Sequence, residues 1–206
     1  METTTGNTSK AREDETLLIS RILDGKTALF RQLASRYAGQ VLRMVARLIP
    51  SPEEAEEATQ DTLVEACHSL SRYDAQRASF RTWLMRIAYH TALKHYRQKH
   101  RSLHMVEVEQ QRLDAFPDKE TDALLDDTDR VELMERAIET LKPDDQMLLN
   151  LYYFDNRPIR EIAGITEHEE GYLRSRLQWI RKKLAITIKA LERDEESFKC
   201  RMKNEE

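Results

Sequence analysis

The sequence predicts an all-α protein made of two helical domains. Only 5 glycines and 5 prolines interrupt the 206 residues, and helix-favouring Glu, Arg, Leu, Ala and Lys are abundant. Apolar residues recur at helical spacing in two stretches, 16–101 and 130–193. Between them, residues 102–129 lose this periodicity and become acidic, which predicts a partly disordered linker. We expect a disordered N-terminus over 1–15 and a charged, fraying tail over 194–206.

Local signals set the helix boundaries of the first domain. A helix is predicted to end near Asp24-Gly25. Ser51 can cap a later helix, because Pro52 suits its first position and Glu54 completes a capping box. That helix should run to about Leu70, and a loop should then lead to a long helix, at Ser71–Ser79 and Phe80–Arg101 respectively.

The second domain is predicted to contain a helix-turn-helix. Its helices should span roughly 130–141, 143–154, 158–164 and 168–193, with Pro143 and Pro158 at helix starts. We expect the turn of the motif to contain Gly164, and the longer helix to be capped by Thr166 with Glu169 three residues on.

Charge is distributed unevenly along the chain, although the net charge is only -4. Residues 72–101 hold eight Lys or Arg against one acidic residue, a net of +7, and residues 172–193 hold seven against one, a net of +6. Residues 105–129 hold nine acidic residues against two basic ones, a net of -7. Two basic blocks separated by an acidic one indicate anionic partners.

The first basic block forms a stripe on one helix. Arg86, His90, Lys94, Arg97 and Arg101 fall within roughly an 80° arc at 100° per residue. Such a stripe favours binding of nucleic-acid phosphates, and neighbouring aromatic side chains can stack on unpaired bases at about 1–3 kcal/mol each. The alternative is a solvated basic face above a core of aromatics, and for Trp83 both interpretations remain open.

The second basic block divides a helix into two faces. Leu173, Leu177, Ile180 and Leu184 share one face, and a polar set shares the opposite one: Arg174, Ser175, Gln178, Arg181 and Lys182. This division is typical of a recognition helix in the DNA major groove. Three acids at its start would repel DNA, although they suit the positive end of a helix: Glu167, Glu169 and Glu170.

Taken in order, four segments resemble the extracytoplasmic-function sigma factors, small members of the sigma-70 family. They are Glu54-Ala-Glu-Glu-Ala-Thr-Gln-Asp, Phe80-Arg-Thr-Trp-Leu-Met-Arg-Ile-Ala, Leu141 to Met147, and Gly171-Tyr-Leu-Arg-Ser-Arg-Leu. The resemblance covers about residues 17–101 and 130–188. It implies a helical bundle like sigma region 2, joined by the acidic linker to a helix-turn-helix domain like sigma region 4.

The resemblance implies a function without catalysis by this chain: binding core RNA polymerase, recognising and melting promoters, and starting transcription. Contacts to the polymerase clamp fall to Glu57, Gln60 and Asp61. Contacts to the melted −10 strand fall to Phe80, Arg81, Trp83, Arg86, His90, Lys94 and Arg97, with the loop Arg72–Ser79 shaping a pocket for a flipped base. Contacts to −35 duplex fall to Arg174, Ser175, Arg176, Gln178, Arg181 and Lys182. The implied partners are the clamp and flap regions of polymerase, promoter DNA and an anti-sigma factor, with no cofactor or metal.

The sequence departs from the family pattern at two places. His90 stands where these proteins commonly carry Asn, which affects the expected contact with the flipped base. Gln178 and Trp179 replace a typical aromatic-plus-Arg pair, which together with Glu167, Glu169 and Glu170 predicts an unusual −35 preference.

Other classes of protein remain as alternatives. One is a helix-turn-helix regulator that binds duplex DNA without polymerase, and another is a helical scaffold, which leaves both basic faces unexplained. A third is a metal-dependent hydrolase using His100 and His104 with Asp126 and Asp127. The polar N-terminus and the lack of a long apolar run predict a cytoplasmic protein without membrane insertion, in which Cys67 and Cys200 stay thiols.

Overall fold

The fold is that of a computed structural model, which describes residues 4–100 and 127–203, with side chains over 14–100 and 131–194. Every regular element in these stretches is helical, as the sequence predicts. Most of the predicted linker, residues 102–129, lies outside the described residues, as do Arg101 and His104.

The N-terminal domain contains four α-helices: α1 (Thr4–Leu23), α2 (Phe30–Ala46), α3 (Pro52–Ser69) and α4 (Phe80–Lys99). The predicted break after α1 is confirmed, because Gly25 has a φ of 98° and the Lys26 amide donates to the Arg21 carbonyl over 3.1 Å. Helix α1 nevertheless starts at Thr4, whereas the sequence predicted disorder to residue 15. The Tyr37 hydroxyl on α2 donates to Glu15 and so joins α1 to α2.

Two serines begin the helices that carry the candidate site. Ser51 accepts a hydrogen bond from the Glu54 amide at 3.4 Å, which confirms it as the cap of α3. The Glu54 carboxylate does not complete the predicted capping box, because it accepts from Lys99 on α4 at 2.6 Å. Ser79 caps α4 by accepting from the Thr82 amide at 3.1 Å. The start of α4 is therefore fixed at the residue where the aromatic and basic side chains begin.

The C-terminal domain contains α5 (Asp127–Glu139), α6 (Pro143–Leu149), a π-helical turn (Asn150–Phe154), α7 (Ile159–Thr166) and α8 (Glu170–Lys203). The predicted turn was misplaced, because α7 continues through Gly164 and the chain reverses at Glu167, whose φ is 60°. The predicted cap was also wrong, since Thr166 donates its hydroxyl back to the Ile162 carbonyl at 3.0 Å. Helix α8 runs on to Lys203, into the stretch 194–206 that was predicted to fray.

The two domains pack against each other along α4. Helices α2, α3 and α4 enclose fully buried Leu33, Phe80 and Leu84, and the C-terminal helices enclose Ile162 and Ile180. Helix α4 also packs against α6 and α7, so that buried apolar side chains of both domains form one continuous cluster. The helix predicted to be the first basic surface therefore lies between the domains.

Candidate nucleic-acid and polymerase interfaces

The α4 basic face consists of Arg86, His90, Lys94 and Arg97. These four residues lie opposite buried Leu84, Ala88 and Ala92, because the helix has an apolar stripe that packs on α2 and α3. Lys94 and Arg97 are exposed, His90 is exposed and Arg86 is half-buried. The basic side chains thus lie on one side of the described part of α4, as the sequence predicts.

Carboxylates of the C-terminal domain lie on the α4 basic face. Arg86 donates from Nη1 to Glu167 at 3.0 Å and from Nε to the Gly164 carbonyl at 3.1 Å. His90 Nε2 lies 3.4 Å from the other oxygen of Glu167. Arg97 donates to Asp144 at 2.9 Å. Three of the four side chains of this face therefore have a partner in the other domain.

Asp144 also receives the hydroxyl of Tyr89, at 3.1 Å. Burial and the negative charge of Asp144 raise the pKa of this hydroxyl above its ordinary value, which keeps it protonated as a donor. Lys94 has no ion pair with any described residue and points to solvent. It is the member of the face whose charge is most available in this structure.

An aromatic cluster lies at the start of α4. The Phe80 ring is fully buried, with its centroid 5.4–5.6 Å from those of Tyr37, Tyr73 and Trp83. Trp83 is half-buried and packs on Tyr73 at 5.5 Å, at the edge of the cluster. Arg81 is exposed and donates to Gln40 at 2.9 Å. Of the two aromatic residues predicted to contact the −10 strand, Trp83 has exposed surface and Phe80 has none. The buried Phe80 ring instead packs against the Trp83 ring.

The α8 polar face consists of Arg174, Ser175, Gln178, Arg181 and Lys182. The first four are exposed and Lys182 is half-buried, opposite buried Leu173, Leu177 and Ile180. Arg174 pairs with Glu170 at 2.8 Å, one turn earlier, and Arg181 donates to the Tyr153 hydroxyl at 2.5 Å. Both guanidinium groups remain at the surface, where such exposed contacts contribute little to stability and leave the charge accessible to an anion.

Arg176 lies apart from the α8 polar face. It donates from Nε and Nη2 to buried Asp145 on α6 at 2.7 and 2.8 Å, and its guanidinium stacks 4.1 Å from the Trp179 ring. The hydrogen bonds to Asp145 raise the pKa of Arg176 further. Its position in the helix agrees with this, since it is rotated by roughly 160° from Gln178 at 100° per residue. In this structure Arg176 joins α8 to α6.

The α3 acidic face consists of Glu57, Gln60 and Asp61, and all three side chains are exposed. Asp61 accepts a hydrogen bond from Nε2 of His95 on α4 at 2.9 Å. Together with the Glu54–Lys99 pair, this contact ties α3 to the last turns of α4. The three residues thus form one accessible surface next to, and separate from, the α4 basic face.

Sequence reasoning did not identify the residues that join the domains: Asp144, Glu161, Gly164 and Glu167. Glu161 lies 3.9 Å from Arg81, and Arg47, which follows α2, lies 3.4 Å from Asp155. The available signal was the unexplained acidic start of the second basic helix. Its first member, Glu167, proves to face α4 rather than solvent.

The alternative metal site lies mostly outside the described side chains, of which only that of His100 belongs to it. His100 donates from Nδ1 to the Tyr96 carbonyl at 2.7 Å and stacks on the Tyr96 ring. His104 and Asp126 lie outside the described residues, and within residues 4–100 and 127–203 no three His, Cys, Asp or Glu side chains cluster suitably for a metal ion. In the same two stretches we find no helix with the combined length and hydropathy that a bilayer span requires.

Comparison with known proteins places both domains. The family model for Sigma-70 region 2 matches residues 33–102, and the model for Sigma-70, region 4 matches residues 132–184. Together these ranges cover more than half of the chain. They include the α3 acidic face, the α4 basic face and the α8 polar face.

Individual relatives match most of the chain. It is 25% identical over 193 residues to the RNA polymerase sigma-H factor of Pseudomonas aeruginosa, covering 89% of this chain and 98% of that protein. It is 27% identical over 168 residues to the ECF RNA polymerase sigma-E factor of Escherichia coli K12, covering 78% and 87%. The fold is similar to that of the sigma factor RpoE in complex with the anti-sigma factor NepR from Bartonella quintana, with a TM-score of 0.53, 19% identity and coverage of 78% and 96%. The chain therefore belongs to the sigma-70 family, as an RNA polymerase sigma factor of the extracytoplasmic-function group.

Proposed function

We propose that the α4 basic face, the α8 polar face and the α3 acidic face each contact a different part of the transcription machinery. The observation that carries the proposal is the presence of one cationic helical face in each domain, beside an exposed acidic face on α3. Two cationic faces suit the two promoter elements that a sigma factor reads, and the α3 acidic face suits the polymerase clamp. In this proposal the chain has no catalytic role, because polymerase synthesises the RNA. The protein would act in the cytoplasm.

The α4 basic face would hold the melted −10 strand. Arg86, Lys94 and Arg97 supply charge for its phosphates, and the exposed part of Trp83 offers a surface for stacking a base. The loop Arg72–Ser79 lies next to Trp83 through Tyr73 and would shape the pocket for a flipped base. His90 provides ring nitrogens where relatives commonly have an amide, so we expect a different base preference at that position.

The α8 polar face would read the −35 duplex. Arg174, Gln178 and Arg181 lie on one side of a long helix and can reach base edges or phosphates in the major groove. Ser175 and Lys182 flank them on the same side. Arg176 would act indirectly, because its pairing with Asp145 sets the angle of α8 against α6.

The α3 acidic face would bind the polymerase clamp through Glu57, Gln60 and Asp61, and the C-terminal domain would bind the flap. The similarity in fold to a sigma factor held by an anti-sigma factor supports a further partner of that kind. An anti-sigma factor would have to cover the same DNA-binding and polymerase-binding faces to keep the protein inactive.

Run-off transcription tests this function. Core polymerase from the organism that encodes the chain is incubated with a library of genomic fragments, with and without the purified protein. We expect discrete transcripts that require both components, and their start sites give the −10 and −35 sequences. Tight binding of the protein alone to promoter duplex, without any transcript, would instead indicate a regulator that acts without polymerase.

A further inference from the structure

We propose that Tyr153, on the turn between α6 and α7, joins Arg181 of the α8 polar face in binding one phosphate of the −35 duplex. The inference rests on the proposed −35 role of α8. It adds a DNA-contacting residue from a different element of the domain, which the sequence analysis did not assign.

A π-helical turn brings Tyr153 to the surface. The Asp155 amide donates to the Asn150 carbonyl, five residues earlier, at 3.0 Å, which closes a turn wider than that of an α-helix. Leu151 is buried within this turn, whereas Tyr153 is 50% exposed. Turns of this kind are frequent at functional sites, so we searched the surroundings of the exposed tyrosine for a role.

Tyr153 contacts Arg181 through both its hydroxyl and its ring. Arg181 Nε donates to the hydroxyl at 2.5 Å, and the guanidinium carbon lies 5.7 Å from the ring centroid. The Tyr152 ring packs edge-on against the Tyr153 ring, with 4.9 Å between the centroids, and restricts its orientation. Tyr153 is thus held beside the helix face that is proposed to read DNA.

The charge of Arg181 is not neutralised by this contact. A phenol is an uncharged acceptor, unlike the Glu170 carboxylate that pairs with Arg174. Among the described side chains, no carboxylate lies within ion-pair distance of Arg181, and no described group accepts from its Nη1 or Nη2. Arg181 therefore keeps a positive charge and its outer donors available for an anion.

The hydroxyl proton of Tyr153 is available in the same way. The oxygen accepts from Arg181, so its own proton must point elsewhere, and no group in the described part of the chain accepts it. Donation from a cation polarises a hydroxyl and makes it a stronger donor in turn. The two side chains together offer a phenol O–H, guanidinium N–H groups and one positive charge, which suit an acceptor-only anion such as a phosphate.

The position of Arg181 favours a phosphate over a base. Arg181 lies at one edge of the α8 polar face, rotated by about 60° from Gln178 at 100° per residue. When the centre of a recognition helix faces the bases, its edges face the phosphates that line the groove. Tyr153 lies beyond that edge, on another element, and so extends the contact along the DNA backbone.

The affinity of holoenzyme for promoter DNA tests the contact. Core polymerase saturated with each variant is titrated onto a fluorescein-labelled promoter duplex found by run-off transcription, and anisotropy is recorded. We expect Tyr153→Phe to raise the dissociation constant about three- to tenfold, since it removes a hydroxyl that contacts an anion. Tyr152→Phe removes the same atom from the neighbouring residue and should leave the constant within about twofold. Equal constants for Tyr153→Phe and the wild type overturn the inference.

A double-mutant cycle shows whether the two side chains share one phosphate. Arg181→Ala alone should raise the dissociation constant by about tenfold and lower the slope of log affinity against log salt by about one. In the Arg181→Ala background, Tyr153→Phe should change the constant by less than about twofold, because the effects of groups that act on one partner are not additive. Additive effects overturn the shared contact.

Substituted −35 sequences separate a phosphate contact from base reading. We expect Tyr153→Phe to weaken binding to every −35 sequence by the same factor, whereas Gln178→Ala should reduce the differences between them. A changed base preference in Tyr153→Phe overturns the assignment to a phosphate. If Gln178→Ala and Arg174→Ala both bind like the wild type, the −35 role of α8 fails, and the inference fails with it. If both bind more weakly and Tyr153→Phe does not, the inference alone fails.

Stability and polymerase binding test for a purely structural role of Tyr153. Tyr153→Phe keeps the ring at an exposed position, so its Tm should lie within about 2 °C of that of the wild type. Its affinity for core polymerase, measured without DNA, should also be unchanged. A larger shift in Tm, or a loss of core binding equal to the loss of promoter binding, overturns the inference.

Discussion

Phe80→Ala is expected to lower the free energy of unfolding by about 3–5 kcal/mol, which is the usual cost of removing a buried aromatic ring. Phe80 has no exposed surface and lies among the rings of Tyr37, Tyr73 and Trp83, which cannot collapse fully into the space it leaves. The measurement is urea denaturation followed by circular dichroism. A loss of stability of this size would indicate that Phe80 holds the side chains of the −10 surface in place. Any loss of DNA binding by the variant would then follow from lost packing and not from a lost contact with DNA.

Lys94→Ala is the matched control for Phe80→Ala, because Lys94 belongs to the same helix but is exposed and has no ion pair with a described residue. We expect its stability to change by less than about 0.5 kcal/mol. A Phe80→Ala protein that is as stable as the Lys94→Ala protein would contradict the buried placement of the ring.

Arg176→Ala is expected to destabilise the C-terminal domain by about 3–5 kcal/mol. Asp145 is almost completely buried on α6, and Arg176 supplies both of its hydrogen-bonded donors at 2.7 and 2.8 Å. Removal of the guanidinium leaves a buried carboxylate without its partner. Thermal unfolding of the full chain measures the effect, and a second change, Asp145→Ala, should recover part of the loss because it removes the stranded charge.

Arg174→Ala provides the comparison on the same helix. Arg174 is exposed and pairs only with Glu170 of the preceding turn among the described residues, so its removal should cost no more than about 1 kcal/mol. We expect the Arg174 variant to keep its fold and lose −35 binding. If Arg176→Ala behaved in the same way as Arg174→Ala, the Arg176–Asp145 pair would not hold α8 against α6.

Local features of the fold could be predicted because their causes are local. Gly25 ends α1 with a left-handed residue, and Ser51 caps α3, and both act within a few residues of their own position. Periodicity likewise located α4 and the apolar stripe of α8 to within a few residues. These predictions depend on backbone geometry and on helix period, which a sequence displays directly.

Predictions that depend on tertiary contacts were less complete. Gly164 was assigned to a turn because glycine usually breaks helices, but it belongs to α7, where its size permits contact with Thr82 more than 80 residues earlier. Thr166 resembled a helix cap but turned back to the Ile162 carbonyl. The partners of Arg86 and Arg97 lie on a domain whose position relative to α4 no local pattern specifies.

The residues of the candidate site also divide into those predicted from local pattern and those that depend on tertiary contacts. Helical spacing correctly grouped the members of the α4 basic face and of the α8 polar face, since residues of one face share a direction. Arg176 was included with the −35 contacts through its place in a family motif, although its angle on the helix differs from theirs. Its pairing with Asp145, 31 residues away, could be found only from the packing of α8 on α6.

Association with purified core polymerase tests the central claim most directly. The labelled full-length chain is titrated with core enzyme and followed by fluorescence anisotropy, in comparison with a Glu57→Ala, Gln60→Ala and Asp61→Ala triple variant. The control is Asp14→Ala with Asp24→Ala, which removes the same number of exposed carboxylates from α1 and the turn that follows it, outside α3. Circular dichroism confirms that each variant is folded, because Asp61 also contacts His95.

We expect saturable binding of the wild-type chain and of the control, and a dissociation constant at least about tenfold higher for the triple variant, equivalent to about 1.4 kcal/mol. No measurable association of the wild-type chain with core enzyme, or equal affinities of the wild-type chain and the triple variant, would contradict the account of α3 as the helix that anchors this sigma factor to polymerase.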